Sequence, residues 1–193
     1  MATPALAGES DTPATAESIE SLYEAGKAAL SAKKPAEALV HFKSALAGSD
    51  GRSAITWQML LAVAVAYKDL GYPVHTLEYF KRFLTVTAPH QDIASEKWKR
   101  RRATVEDQIN ELEGALSLTY GFLSLTSTPS GAKVFVDGRR AGADKNAVTP
   151  FRLILTPGAH TVRLEKEGQE VKEVTVELSA GAREERQVAM SAI

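Results

Sequence analysis

The hydrophobic period of this chain changes once, near residue 120, and that change limits the fold more than any other feature. From Ala16 to about Leu116 the apolar residues recur at helical spacing; after Gly121 they alternate one in two and are punctuated by Gly and Pro. A stripe of period 3.6 faces one way only on a helix, and a stripe of period 2 only on a strand. The pattern therefore predicts an α+β multidomain chain. Residues 1–15, rich in Ala, Pro and Thr, read as a disordered lead-in. Residues 16–116 read as an all-α region of helical repeats ending in a capping helix, and residues 121–193 as a small antiparallel β-sandwich. The link from Ser117 to Gly121 is short, which predicts limited freedom between the two parts.

The helical part contains a repeat. Leu22, Gly26, Ala38, Phe42 and Ala45 have the spacing of one helix-turn-helix, with Pro35 placed to open its second helix. About 38 residues on, Leu60, Ala64, Tyr67, Thr76, Phe80 and Phe83 repeat the spacing around the turn Leu70-Gly71-Tyr72-Pro73. A third step lands on Trp98 and Val105. Small residues let paired helices approach closely, and aromatics fill the space between successive hairpins. In these positions the region resembles the tetratricopeptide repeat. The period is longer than the usual ~34 residues, and the excess is assigned to the loop Gly48-Ser49-Asp50-Gly51. A last helix, about Ile93 to Leu116, carries an apolar stripe of Ala94, Trp98, Val105, Ile109, Leu112 and Leu116. One such face would seal the stack, and the charged remainder would stay in water.

The strand-like part alternates at Leu123/Leu125, Val134/Val136, Leu153/Leu155, Val162/Leu164, Val174/Val176/Leu178 and Val188/Met190. Asp137-Gly138 lies between two such runs and signals a hairpin, since both residues tolerate positive φ. Pro129-Ser130-Gly131-Ala132, Val134-Phe135-Val136-Asp137-Gly138, Gly142, Thr149-Pro150 and Pro157-Gly158 together make this part resemble the PEGA domain. In that resemblance Pro129, Gly131, Ala132, Asp137, Gly138, Gly142, Thr149, Pro150, Pro157 and Gly158 are framework residues with no catalytic role. Six residues, Ala143 to Val148, stand where the family has about one, so an extended loop is expected there. Gln169 stands where the family usually has an aromatic.

Composition removes several functional classes. There is no cysteine, hence no disulfide, thiolate metal site or thiol nucleophile. The formal net charge is -1, which gives no global attraction to nucleic acid, and no apolar run approaches the ~20 residues of a membrane span. His41, His75, His90 and His160 lack metal-ligand spacing, and neither a phosphate-binding glycine loop nor a nucleophile elbow is present. No catalytic residue, metal or cofactor is expected. The run Lys97-Trp98-Lys99-Arg100-Arg101-Arg102 spreads its charge around a helix, with Trp98 facing the core and the stems of Arg101 and Arg102 flanking it.

Repeat geometry places a partner surface on the first helices: Tyr23, Lys27, Gln58, Val65, Lys68 and Lys99. Three lysines along one groove would hold another protein through an acidic or C-terminal peptide, against the plainer reading of solubilising lysines. The resemblance implies a non-enzymatic scaffold or adaptor in a bacterial envelope assembly. Two alternatives stay open: a cell-wall or polysaccharide module using Phe122, Phe135, Phe151 or Tyr120, and a homo-oligomeric structural component. The first residues have no basic segment and no long apolar segment, so either an exported protein written without its signal, in the periplasm or cell envelope, or a cytoplasmic one fits.

Overall fold

The second helix of each helical hairpin is opened by a proline. Pro35 and Pro73 stand in the first turns of their helices, where the missing N–H has no partner to lose. Before each, one residue takes a left-handed backbone: Lys33 at φ 58° and Gly71 at φ 76°. In this computed structural model, which describes residues 16–49, 53–90, 95–142 and 144–193, the helices are α1 (Ala16–Ser31), α2 (Pro35–Ala47), α3 (Ala54–Asp69), α4 (Pro73–Thr87) and α5 (Glu96–Ser117). A single 3-10 turn, Ala88–His90, follows α4. The expected lead-in at 1–15 lies outside the described residues, as do Asp50 and Gly51 of the inter-hairpin loop, Ile93 and Ala94 of the last helix, and Ala143.

The helices stack in chain order, each packing on the next. The small residues do what their spacing predicts. A Cβ placed on Gly26 would come within 2.4 Å of the Phe42 ring, so α1 and α2 meet only because that side chain is missing. Ala38, Phe42 and Ala45, and Ala64, Phe80 and Phe83, are all buried. On α5 Val105, Ile109 and Leu116 are buried, with Trp98 and Leu112 packed against the same core, while Glu96, Lys99, Arg100 and Glu111 stay exposed. Among the described residues no helix is long and apolar enough to cross a membrane.

Seven strands follow: β1 (Gly121–Thr128), β2 (Lys133–Val136), β3 (Arg139–Arg140), β4 (Phe151–Leu155), β5 (Gly158–Glu165), β6 (Lys172–Leu178) and β7 (Arg183–Ala189). They form two sheets, ordered β4-β1-β7 and β3-β2-β5-β6. Leu123, Leu125, Val134, Leu153, Val162, Leu164, Val176 and Leu178 fill the space between them. The expected all-antiparallel sandwich needs one correction. β7 runs parallel to β1, with Phe122 opposite Arg183 and Thr128 opposite Ala189. Ala180-Gly181 is a turn that carries the chain from one sheet across to the other. β7 therefore does not fold back on β6, and it meets β1 in the same direction.

β1 serves two cores. Leu123 and Leu125 point into the sandwich, whereas Phe122 belongs to the helical core together with Val105, Ile109 and Leu116. Ile154, opposite Phe122 on β4, packs on that same core. The outer face of the smaller sheet is thus the seam with the helices.

Candidate partner-binding cleft

The first helices of the stack line a cleft of about 340 Å3, within the ~300–1,000 Å3 that ligand sites occupy. α1 contributes Tyr23 and Lys27, and α3 contributes Gln58, Leu61, Ala62 and Val65 at helical spacing. α5 contributes Lys97, Trp98 and Arg101. Tyr23, Leu61, Ala62, Val65 and Trp98 give it apolar walls, and Val65 is 40% exposed. Trp98 is fixed from behind, packing edge-on to Trp57 with ring centres 5.2 Å apart.

Three cations surround these walls. Lys27 is 2.8 Å from Glu24, which raises its pKa through that hydrogen bond, so part of its charge is spent within α1. Lys97 and Arg101 have no acidic partner among the described residues. Being four residues apart they lie together on one side of α5, beside Trp98.

Four of the six expected groove residues meet here: Tyr23, Lys27, Gln58 and Val65. Lys68 and Lys99 do not line it. Lys68 is exposed one turn beyond Val65, past the end of the cleft. Lys99 sits 2.9 Å from Glu96 on another flank of α5, because two residues along a helix turn the side chain by ~200°. The basic run divides by task. Arg102 is turned inward, where it donates to the Leu84 carbonyl and the Thr87 hydroxyl, each at 2.8 Å, and so satisfies the last turn of α4. Arg100 is exposed.

In the β half the motif residues build turns and a buried hydroxyl chain. Asp137 and Gly138 carry φ values of 49° and 78° at the β2–β3 turn. Gly131, Gly142 and Gly158 also have positive φ, and the bonds preceding Pro129 and Pro150 are cis. Thr149 accepts the Ala132 N–H at 3.0 Å and is 2.5 Å from the Ser127 hydroxyl, which donates to the Pro129 carbonyl at 2.7 Å. Ala132 and Thr149 are both buried, and Pro157 precedes the first residue of β5.

Residues 120–191 match the PEGA domain. No curated protein matches the chain. The match opens one residue before β1 and ends two after β7, so it covers all seven strands and leaves the helices outside it.

Within the PEGA-like half, Asp137 also anchors a histidine. His160 Nδ1–H donates to Asp137 at 2.7 Å, its Nε2 lies 2.9 Å from the Thr156 carbonyl, and the Thr161 N–H donates to Asp137 at 2.9 Å. Both ring nitrogens face oxygen acceptors, an arrangement satisfied fully by the imidazolium. Accordingly the hydrogen bond to Asp137 raises the His160 pKa, and the same bond lowers that of Asp137. Among the described residues no group of three His, Asp or Glu is placed to hold a metal.

The rings considered for sugar contact are mostly covered. Phe122 is buried, with the Arg183 guanidinium 4.7 Å from its centre. Phe135 lies between the guanidiniums of Arg163 at 4.3 Å and Arg140 at 5.3 Å. Phe151 and Tyr120 are half-buried.

Proposed function

We propose that this chain is a non-enzymatic interaction module, an adaptor of a bacterial cell envelope assembly, whose helical half takes an acidic segment of another protein. One observation carries the reading: Lys97 and Arg101, without acidic partners among the described residues, stand beside an apolar wall of half-buried Trp98 and Leu61 and exposed Val65. A peptide with a carboxylate next to a bulky apolar side chain satisfies both features. Arg101 offers a planar fork for the carboxylate, and the cleft walls accept the apolar group. In a chain of net charge -1, such a local cluster also favours acidic over basic partners at the encounter stage. The envelope setting rests on the PEGA match alone. A wall polymer is the second reading that the same match supports. It is the weaker one, because the Phe122 and Phe135 faces are already taken by arginines and sugar sites need open rings.

Fluorescence anisotropy with a set of labelled peptides pairing Asp or Glu with Leu, Phe or Trp tests the cleft. Acidic-apolar peptides should bind and their basic counterparts should not. Lys97→Glu with Arg101→Glu should weaken binding roughly tenfold or more, with the melting temperature unchanged, since both side chains are exposed. Equal binding by the double variant, or no binding by any acidic peptide, would overturn the assignment.

A further inference from the structure

Two carboxylates cross the seam between the halves, one in each direction. Glu113 projects from α5 and meets Lys81 of α4, Arg152 of β4 at 3.1 Å and Arg183 of β7 at 3.4 Å. Asp144 projects back from the loop between β3 and β4. It lies 2.5 Å from Lys43 of α2 and 3.7 Å from Arg82 of α4, and it accepts the hydroxyl of Tyr79 on α4. The Lys43 contact is an ion pair rather than an aligned hydrogen bond. Lys81 and Arg82 are consecutive residues, yet each serves a different carboxylate, so α4 is the element from which both contacts are governed.

The Asp144 contact differs from a surface ion pair in its third member. Tyr79 is 2% exposed, and its ring is held against Tyr67 at 5.6 Å. A buried phenol needs an acceptor, since leaving its hydroxyl unpaired is costly. Among the described residues that acceptor comes from the β half, not from the helices. Lys43 and Arg82 stand on either side with charge to match. Without Asp144 the outer face of α2 and α4 would present two cations and an unanswered hydroxyl around one spot.

We infer that Lys43, Tyr79 and Arg82 form a carboxylate-docking site on the helical half, that Asp144 is its resident ligand, and that this capture fixes the angle of the β half. The apolar seam through Phe122 and Ile154 brings the halves together without choosing an angle, because apolar contact is not directional. The docked carboxylate is directional and selects one. Consistent with that role, burial pushes the Asp144 carboxyl up, but the contacts from Lys43 and Tyr79 outweigh it and lower its pKa.

The chain has no cysteine, so a pair of introduced ones gives a clean spin-label distance. Ser31→Cys and Thr175→Cys are exposed and sit on opposite halves. The labelled parent should show one narrow distance distribution by double electron–electron resonance. Asp144→Lys should abolish the single narrow peak, and adding Lys43→Glu with Arg82→Glu should restore it. Helical circular dichroism, unchanged in each variant, shows that the stack is folded. A peak in Asp144→Lys as narrow as in the parent overturns the inference, because the apolar seam and the Glu113 contacts to Arg152 and Arg183 would then hold the angle without Asp144. Broadening that the charge exchange fails to reverse also overturns it, because the contact would then be steric.

Discussion

The helical half and the β half solve the same packing problem with different means. The helical half is built on volume. Large rings sit where a neighbour has given up its side chain, as Phe42 does over Gly26, and the result is a largely apolar interior. The β half is built on direction. Its strands are short, and its shape comes from turns at positive φ and from the hydroxyl chain Thr149–Ser127–Pro129. A helix satisfies its own backbone and asks its neighbours only for fit. A strand must be brought alongside its partner by the turns. Substitutions in the two halves should therefore fail in different ways and by different amounts.

The largest effect belongs to volume. Phe42→Ala removes a fully buried ring and should destabilise the protein by about 3–5 kcal/mol, measured by urea unfolding followed through the helical circular dichroism signal. A loss below 1 kcal/mol would mean that the stack collapses readily around the gap and is not built on fit. The next effect belongs to direction. Thr149→Val keeps the shape but leaves the buried Ala132 N–H without its acceptor, at a cost of about 1–3 kcal/mol. Hydrogen exchange should show faster exchange at Ala132 and its neighbours before any change in the helices.

The smallest effect gives the sharpest contrast, because the two halves should respond to pH in opposite senses. Burial lowers the His75 pKa in α4, while the bond to Asp137 raises that of His160 in β5. For His75 the unfolded chain binds the proton better, so its half loses stability as pH falls through the ordinary histidine value of 6.5. For His160 the stabilisation is complete below 6.5 and is lost as pH rises through the elevated folded value. Each effect should be about 1 kcal/mol or less, since both groups are partly exposed. Half-resolved hydrogen exchange at pH 6 and pH 8 should show the two halves shifting in opposite directions, and His160→Gln should remove only the β half's response. A common direction would mean that the halves open as one unit.

Much of this was legible in the residues. The change of period located the passage from helix to strand, and Gly26, Ala38 and Phe42 announced a close helical pair. β3 was not legible, because Arg139 and Arg140 are too few and too polar to show alternation. Nor was the parallel pairing of β7 with β1, since alternation reports which face is buried and says nothing of direction. In the cleft the error was angular. The basic run was visible, but choosing Lys99 instead of Lys97 and Arg101 turned the predicted charge away from the groove. The spacing of Lys97 and Arg101 around the core residue Trp98 was the available signal. Asp144 was missed as an individual. The loop that carries it stood out only by its length, and a single carboxylate in a polar loop gives no hint of a partner that lies 101 positions back at Lys43.

The parallel pairing of β1 with β7 has a mechanical consequence. The ladder runs over seven residue pairs, from Phe122 with Arg183 to Thr128 with Ala189. Tension applied between α5 and the far end of β7 enters the ladder at opposite ends, at the start of one strand and the finish of the other. The load then runs along the strands and is shared by every rung at once, whereas a hairpin would unzip rung by rung. A tether pulled between those two points is stressed along its stiffest axis.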